Sequence, residues 1–318
     1  MRIVFMGTPE FSVPSLAALL TSEHSVAGVV TQPDRPKGRG QELAASPVKQ
    51  LALQHTIPIL QPAKMKDPAF LNTLSAWKPD LIAVTAFGRI LPKVVLDLPP
   101  HGCINVHASL LPKYRGAGPI QWAIIRGEYE TGITTMLMDE GMDTGAILLQ
   151  EKVSIAPDDT AGTLSSKLAT IGGRLLMETL SRLQSGIVVP RPQDHSQATM
   201  APLLKKEDGL LDWTMPSLDL ANRVRGLSPW PGAHTYLGED RWVIWKAAVQ
   251  DQSATAASAG TIMEATKEGL LVSTGTGLLR IMEFQPANSR RMSVAQYLSG
   301  HALPPGLRLG PPPPTAAA

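Results

Sequence analysis

Among its 318 residues the chain has a single cysteine, Cys103. One thiol excludes a disulfide framework and fits a reducing compartment, so a cytoplasmic protein is expected. Long apolar runs are missing as well. None approaches about eighteen residues, and no transmembrane helix is expected. The opening "MRIVFMGTPEF" lacks the charged, apolar and small-residue succession of a signal peptide. Neither charge sign is in excess, because 29 Lys and Arg stand against 27 Asp and Glu. Global electrostatics therefore does not point to nucleic acid, and a polyanion would have to be met by local patches. After the first apolar run, "FMGTPEF" carries one glycine where a dinucleotide-binding turn needs G-x-G-x-x-G, which disfavours NAD. His101, Cys103 and His107 match no standard zinc spacing and have no second ligand cluster beside them, so no metal is expected.

What is present is an alternation. Apolar runs at Arg2–Gly7, Ser25–Pro33, Leu81–Phe87 and around "GCINVHAS", with a short "PIL", read as strands. Between them lie "PSLAALLTS", "SPVKQLALQHT" and "AFLNTLSAWKPD", whose apolar spacing predicts helices. Ser46 is placed to cap the second of these, with Pro47 at its first position. Strand and helix in turn imply an α/β domain with a mostly parallel sheet. From Gly132 the pattern becomes two strands around the Gly-bounded "EGMDTG", then a long helix ending at Gly186. Residues 190–206 are Pro-rich and aperiodic, a linker composition. From 207 to 310, short apolar runs punctuated by "KEG" and "TGTG" predict hairpins and a smaller all-β domain, a small antiparallel barrel. The tail 311–318, "PPPPTAAA" at its end, is expected to be disordered.

The residues with the most chemistry lie in "GCINVHASLLPKYRGAGPIQWAI". Asn105 and His107 are two apart at a strand end, so they project side by side. An amide can donate to an oxyanion developing on an attacked carbonyl, and an imidazole can hold or move the proton the nucleophile loses. A carboxylate would complete the set: Asp143 in "MDEGMDTG", with Asp139 as the alternative. The plainer reading, in which Asn105 and His107 only satisfy main-chain groups, stays open at this point. Cys103 falls on the same face by alternation and could be a nucleophile, although a buried small hydrophobe is the simpler reading. A second unusual feature is "QPDRPKGRGQELAASP", residues 32–47. Strand-to-helix loops usually span about two to six residues. This one is far longer and carries Arg35, Lys37 and Arg39, charges that could meet phosphates.

Together "FMGTPEFSVPSL", "TQPDRPKGRG", "AFGRILP", "INVHASLLP", "RGAGPI", "MDEGMDTG" and "WPGAHT", in this order, resemble the methionyl-tRNA formyltransferases over nearly the whole chain. The resemblance implies a Rossmann-like formyltransferase domain over residues 1–189 and an OB-like C-terminal domain that helps hold tRNA. It implies 10-formyltetrahydrofolate as formyl donor, methionyl-initiator tRNA as acceptor and a monomer needing no metal. Catalytic Asn, His and Asp fall on Asn105, His107 and Asp143. Folate contacts fall on Ser109, Leu110, Leu111 and Pro112, and on Phe87, Gly88, Ile90 and Leu91. The tRNA-acceptor loop falls on residues 32–47, with Arg35, Lys37 and above all Arg39. One feature sits awkwardly. Residues 207–318 carry nine Lys and Arg against ten Asp and Glu, so the second domain is near neutral, and only clustering of Arg223 with Arg225, Lys246, or Arg290 with Arg291 could supply the positive groove such a role calls for. Rival readings are a formyltransferase for a purine-pathway ribonucleotide or a nucleotide sugar, a formyltetrahydrofolate hydrolase, and a non-catalytic tRNA- or folate-binding protein. The sugar enzyme is disfavoured because a fused dehydrogenase would not fit in this length.

Overall fold

A computed structural model describes residues 1–37, 42–253 and 257–312. The chain divides into two compact units, one of residues 1–119, 130–154 and 165–202, the other of residues 120–129, 155–164 and 203–318.

The first unit is built on a seven-stranded sheet. Its elements are β1 (Arg2–Gly7), α1 (Val13–Leu20), β2 (Ser25–Val30), a two-stranded hairpin of β3 (Arg35–Lys37) and β4 (Glu42–Ala44), α2 (Pro47–Gln54), β5 (Ile59–Leu60), α3 (Pro68–Ala76), β6 (Leu81–Thr85), α4 (Lys93–Leu96) and β7 (Cys103–His107). After α5 (Pro119–Ile125), which from residue 120 belongs to the second unit, come β8 (Glu130–Leu137), β9 (Ile147–Ser154) and α6 (Ala161–Gln184), which from residue 165 belongs to the first. The strand order is β5-β2-β1-β6-β7-β8-β9. The first five are parallel, while β8 and β9 close the edge antiparallel. Every residue of β6 is buried, as the continuous apolar run requires of a strand covered on both faces. Ser46 caps α2 as expected, its hydroxyl accepting from Lys49 N at 3.1 Å.

Chain direction across the sheet reverses between β1 and β6. In open α/β sheets ligands bind outside the strand carboxyl ends at such a switch point. Here that crevice is bordered by the loop after β6, and Asn105 and His107 stand at the same end of the adjoining β7. Behind β7, α6 comes close because it carries Gly172 and Gly173. A Cβ on Gly172 would lie 2.9 Å from Val106 Cγ1, and one on Gly173 would lie 2.8 Å from the Pro14 carbonyl.

Within the long loop of residues 32–47, β3 and β4 pair antiparallel, which the sequence did not announce. Strands of three residues, one holding Pro36, have no alternation from which a sequence could announce them. The stretch expected as linker is also packed in part: Arg191 bridges Ile147, and Met200 bridges Arg115.

The second unit is antiparallel. It contains α7 (Ser217–Gly226), β10 (Ala233–Leu237), β11 (Asp240–Asp251), β12 (Ile262–Thr266), β13 (Gly269–Ser273), β14 (Leu278–Gln285), β15 (Met292–Ser293), α8 (Val294–Leu298) and β16 (Leu309–Gly310). Its sheet runs β12-β13-β14-β11-β10-β16, with β15 on β14, a half-barrel curled over Trp242, Phe284 and Leu220. The tight hairpins fall at 267–268 and 274–277, where "KEG" and "TGTG" predicted them. Of the tail, residues 313–318 lie outside the described residues. Among the described residues, no helix is long and apolar enough to cross a membrane, and none group as three or more potential metal ligands.

Candidate active site

Asn105, His107 and Asp143 come together. Asn105 Nδ2 lies 3.4 Å from Asp143 Oδ1, and His107 Nδ1 lies 3.7 Å from Asp143 Oδ2. The latter oxygen also accepts from Gly116 N at 2.8 Å. Asp143 therefore stands between the amide and the imidazole. It does so from a left-handed turn, with φ +53°, which an L residue rarely adopts. His107 is oriented mainly by another group than the carboxylate the sequence suggested: its Nε2 lies 2.9 Å from the carbonyl of Tyr114, and the residue is only 6% exposed. Asp139, the alternative carboxylate, is used within its own loop, accepting from Gly141 N and Thr144 Oγ1.

The segment after β7 is tied down by its own polar groups. Ser109 is 0% exposed; its hydroxyl donates to the Lys113 carbonyl at 2.6 Å, and its carbonyl accepts from Thr134 Oγ1 at 2.6 Å. Leu111 N donates to Thr134 Oγ1, and Gln150 Nε2 donates to the Leu111 carbonyl. Ser109 and Leu111 are thus buried and hold the loop through these bonds. Leu110 and Pro112 are half-buried. Around the switch point, Phe87 and Leu91 face inward, whereas Gly88 is exposed and Ile90 is 76% exposed. Gln32 Nε2 holds the carbonyls of Phe87 at 2.9 Å and Gly88 at 3.4 Å. Ile90 and Leu91, with Met65, Pro92, Val94, Lys66, Lys93 and Glu140, line an open cleft of about 590 Å³. That volume suits an organic ligand, although Asn105, His107 and Asp143 are not among its lining residues.

Of the hairpin, Arg35 is exposed and donates from Nη2 to Gln32 Oε1 at 2.9 Å. The hairpin base is anchored by Asp34, which accepts from Lys49 Nζ at 2.5 Å and Gln61 Nε2 at 2.8 Å. The bond from the Lys49 ammonium, then that from Gln61, holds the Asp34 carboxyl below its ordinary range. Lys37 contributes main chain to β3, and Arg39 lies outside the described residues.

Sequence reasoning passed over Gln32, Tyr114, Thr134 and Gln193. Gln193 Nε2 donates to the carbonyls of Asp143 and Gly145. None has a local pattern: Gln32, Thr134 and Gln193 act through partners distant in sequence, and Tyr114 acts through its main-chain carbonyl.

A formyl transferase family model matches residues 1–180, and a formyl transferase C-terminal domain model matches residues 203–302. A methionyl-tRNA formyltransferase of Trichlorobacter lovleyi is 51% identical over 98% of this chain and 97% of its own. One of Acetivibrio thermocellus is 50% identical over 98% of this chain and all of its own. Among solved structures, an N-formyltransferase from Helicobacter canadensis in complex with folinic acid and dTDP-3-aminofucose is similar in fold. Its TM-score is 0.66 at 18% identity, over 88% of this chain and 98% of that one. This neighbour removes the argument from length against a sugar enzyme, since it is nearly all covered by a chain of this size. The case instead rests on sequence shared end to end. With half its residues identical to such relatives across nearly their full lengths, and both halves matched by formyl transferase models, the chain belongs to the methionyl-tRNA formyltransferase family.

Proposed function

We propose that the chain transfers the formyl group of 10-formyltetrahydrofolate to the free α-amine of methionyl-initiator tRNA. The observation that carries the chemistry is the cluster in which Asp143 reaches both Asn105 and His107. The methionyl amine attacks the formyl carbon, and negative charge develops on the formyl oxygen. An amide has two N–H groups. With one directed at Asp143, Asn105 offers the other to that oxygen. The amine nitrogen becomes positive as it bonds and must lose a proton. The His107 Nδ1 and Asp143 Oδ2 pair receives it and returns it to N10 of the folate as the bond between formyl carbon and N10 breaks. The products are N-formylmethionyl-tRNA and tetrahydrofolate, with no enzyme-bound acyl group.

The crevice at the switch point, with Phe87, Gly88, Ile90 and Leu91 on one side and Leu110 and Pro112 on the other, takes the folate. The segment 32–47, with Arg35, Lys37 and Arg39, meets the acceptor stem, and the second unit supports the tRNA. Formyl transfer should be measured with methionylated initiator tRNA, methionylated elongator tRNA and no acceptor. Transfer to the initiator alone is expected, falling about 10²–10³-fold in Asn105→Ala through loss of an oxyanion donor. Formate release independent of acceptor would replace this reading with a hydrolase.

A further inference from the structure

Gln193 lies in the Pro-rich stretch with linker composition, yet it is only 6% exposed. Its amide is fully engaged. Nε2 donates to the carbonyl of Asp143 at 2.9 Å and of Gly145 at 2.8 Å. Oε1 accepts from Arg115 Nε at 3.1 Å and Nη2 at 2.7 Å. Arg115 is buried too, and its Nη2 lies 3.1 Å from His195 Nδ1. Carbonyls only accept and a guanidinium only donates. The amide therefore has one workable orientation; turned over, it would set oxygen against two carbonyls and N–H against Arg115.

The two clamped carbonyls flank the turn from which Asp143 emerges at φ +53°. Without the clamp an L residue would relax toward negative φ, and the carboxylate would swing with it. We propose that Gln193 is a positioning residue: by gripping the 143–145 main chain it sets the Asp143 carboxylate between Asn105, His107 and Gly116 N, and Arg115 fixes the direction of its amide. The kinetic consequence rests on the transfer reaction proposed above, whereas the geometric claim does not.

Two substitutions separate this from simple packing. Gln193→Glu keeps size and an acceptor for Arg115 but turns oxygen toward the two carbonyls. Gln193→Met keeps bulk alone and serves if the first variant does not fold. In either, kcat for formyl transfer should fall about 100-fold, the scale of a small misplacement of a reacting group, with both KM values unchanged. In an Asp143→Asn background the same substitution should cost nothing more, because the loss acts through Asp143. The Gly116 amide, which donates to Asp143 Oδ2, should exchange hydrogen faster in both variants, with β8 amides unaffected. Unchanged kcat, or a loss that simply adds to that of Asp143→Asn, overturns the proposal. If the wild-type protein transfers no formyl group, or Asp143→Asn is fully active, the proposed function fails. The Gly116 exchange then decides alone: faster exchange upholds positioning, and unchanged exchange overturns it.

Discussion

The imidazole of His107 donates from Nε2 to the carbonyl of Tyr114 at 2.9 Å, and this bond decides what the other nitrogen can do. A carbonyl can only accept, so Nε2 carries the hydrogen and the neutral ring has a bare Nδ1. That Nδ1 faces Asp143 Oδ2 at 3.7 Å, one acceptor before another. A proton entering between them satisfies both, which makes the pair a natural station for the proton shed by an attacking amine. His107→Gln tests this, since a glutamine amide nitrogen can keep the Tyr114 contact while offering nothing at Nδ1. The variant should melt close to the wild type and lose about 10²–10⁴-fold in single-turnover transfer, the usual worth of general acid–base catalysis. Full activity would take the ring out of the proton path.

Gly88 supports a second expectation. Its φ is +76°, and a Cβ there would lie 2.5 Å from Gln32 Nε2, the amide that secures the Phe87 and Gly88 carbonyls. Gly88→Ala meets both a left-handed penalty of about 1–2 kcal/mol and that contact. Loosening this loop should raise KM for the folate donor and leave kcat at saturation little changed, because Asn105, His107 and Asp143 are untouched. Initial rates over a range of donor concentration would read it. An unaltered KM would detach the loop from the folate.

These two sites differ in how far the sequence disclosed them. Asn105 and His107 were legible because side-chain alternation is local: two residues at one strand end share a face whatever the rest of the chain does. The buried β6 was legible for a local reason as well, a continuously apolar run. Asp143 was preferred to Asp139 on its Gly-bounded loop and on the resemblance, but the contacts that separate the two were not legible: Asp143 reaches Asn105 while Asp139 bonds Gly141 and Thr144. The pairing of β3 with β4 was hidden by their short length. Gln193 was hidden more deeply, because its burial depends on a clamp that joins it to residues about fifty positions away.

Cys103 shares a strand and a face with Asn105 and His107, which kept a thiol nucleophile open. The structure turns its Sγ to the Val95 and Leu96 carbonyls, at 3.7 and 3.9 Å, and burial pushes the thiol up to about 12. A thiolate is the reactive form. Native protein at neutral pH should therefore resist a thiol-labelling reagent that modifies it fully once denatured, and Cys103→Ala should retain the wild-type transfer rate. Prompt labelling of the folded protein would show the thiol to be accessible and restore the nucleophile reading.

The second unit should carry its own pH signature. Burial, reinforced by Arg241, holds the His234 imidazole below its ordinary value, against the opposing contact with the Gly232 carbonyl. A group whose value is lowered by folding resists a proton that the unfolded chain accepts. Its contribution to stability is full above the ordinary histidine value of about 6.5 and declines as pH falls below that toward the native value. His24, in the first unit, is lowered too, by burial and the N-terminal ammonium, so the wild-type curve alone does not report His234. The difference between wild type and His234→Gln does. Followed by fluorescence of the buried Trp213 and Trp242, denaturant midpoints of the two should converge as pH drops from about 7.5 to 5, the wild type giving up more. Parallel curves across that window would mean that His234 takes up its proton equally well folded and unfolded.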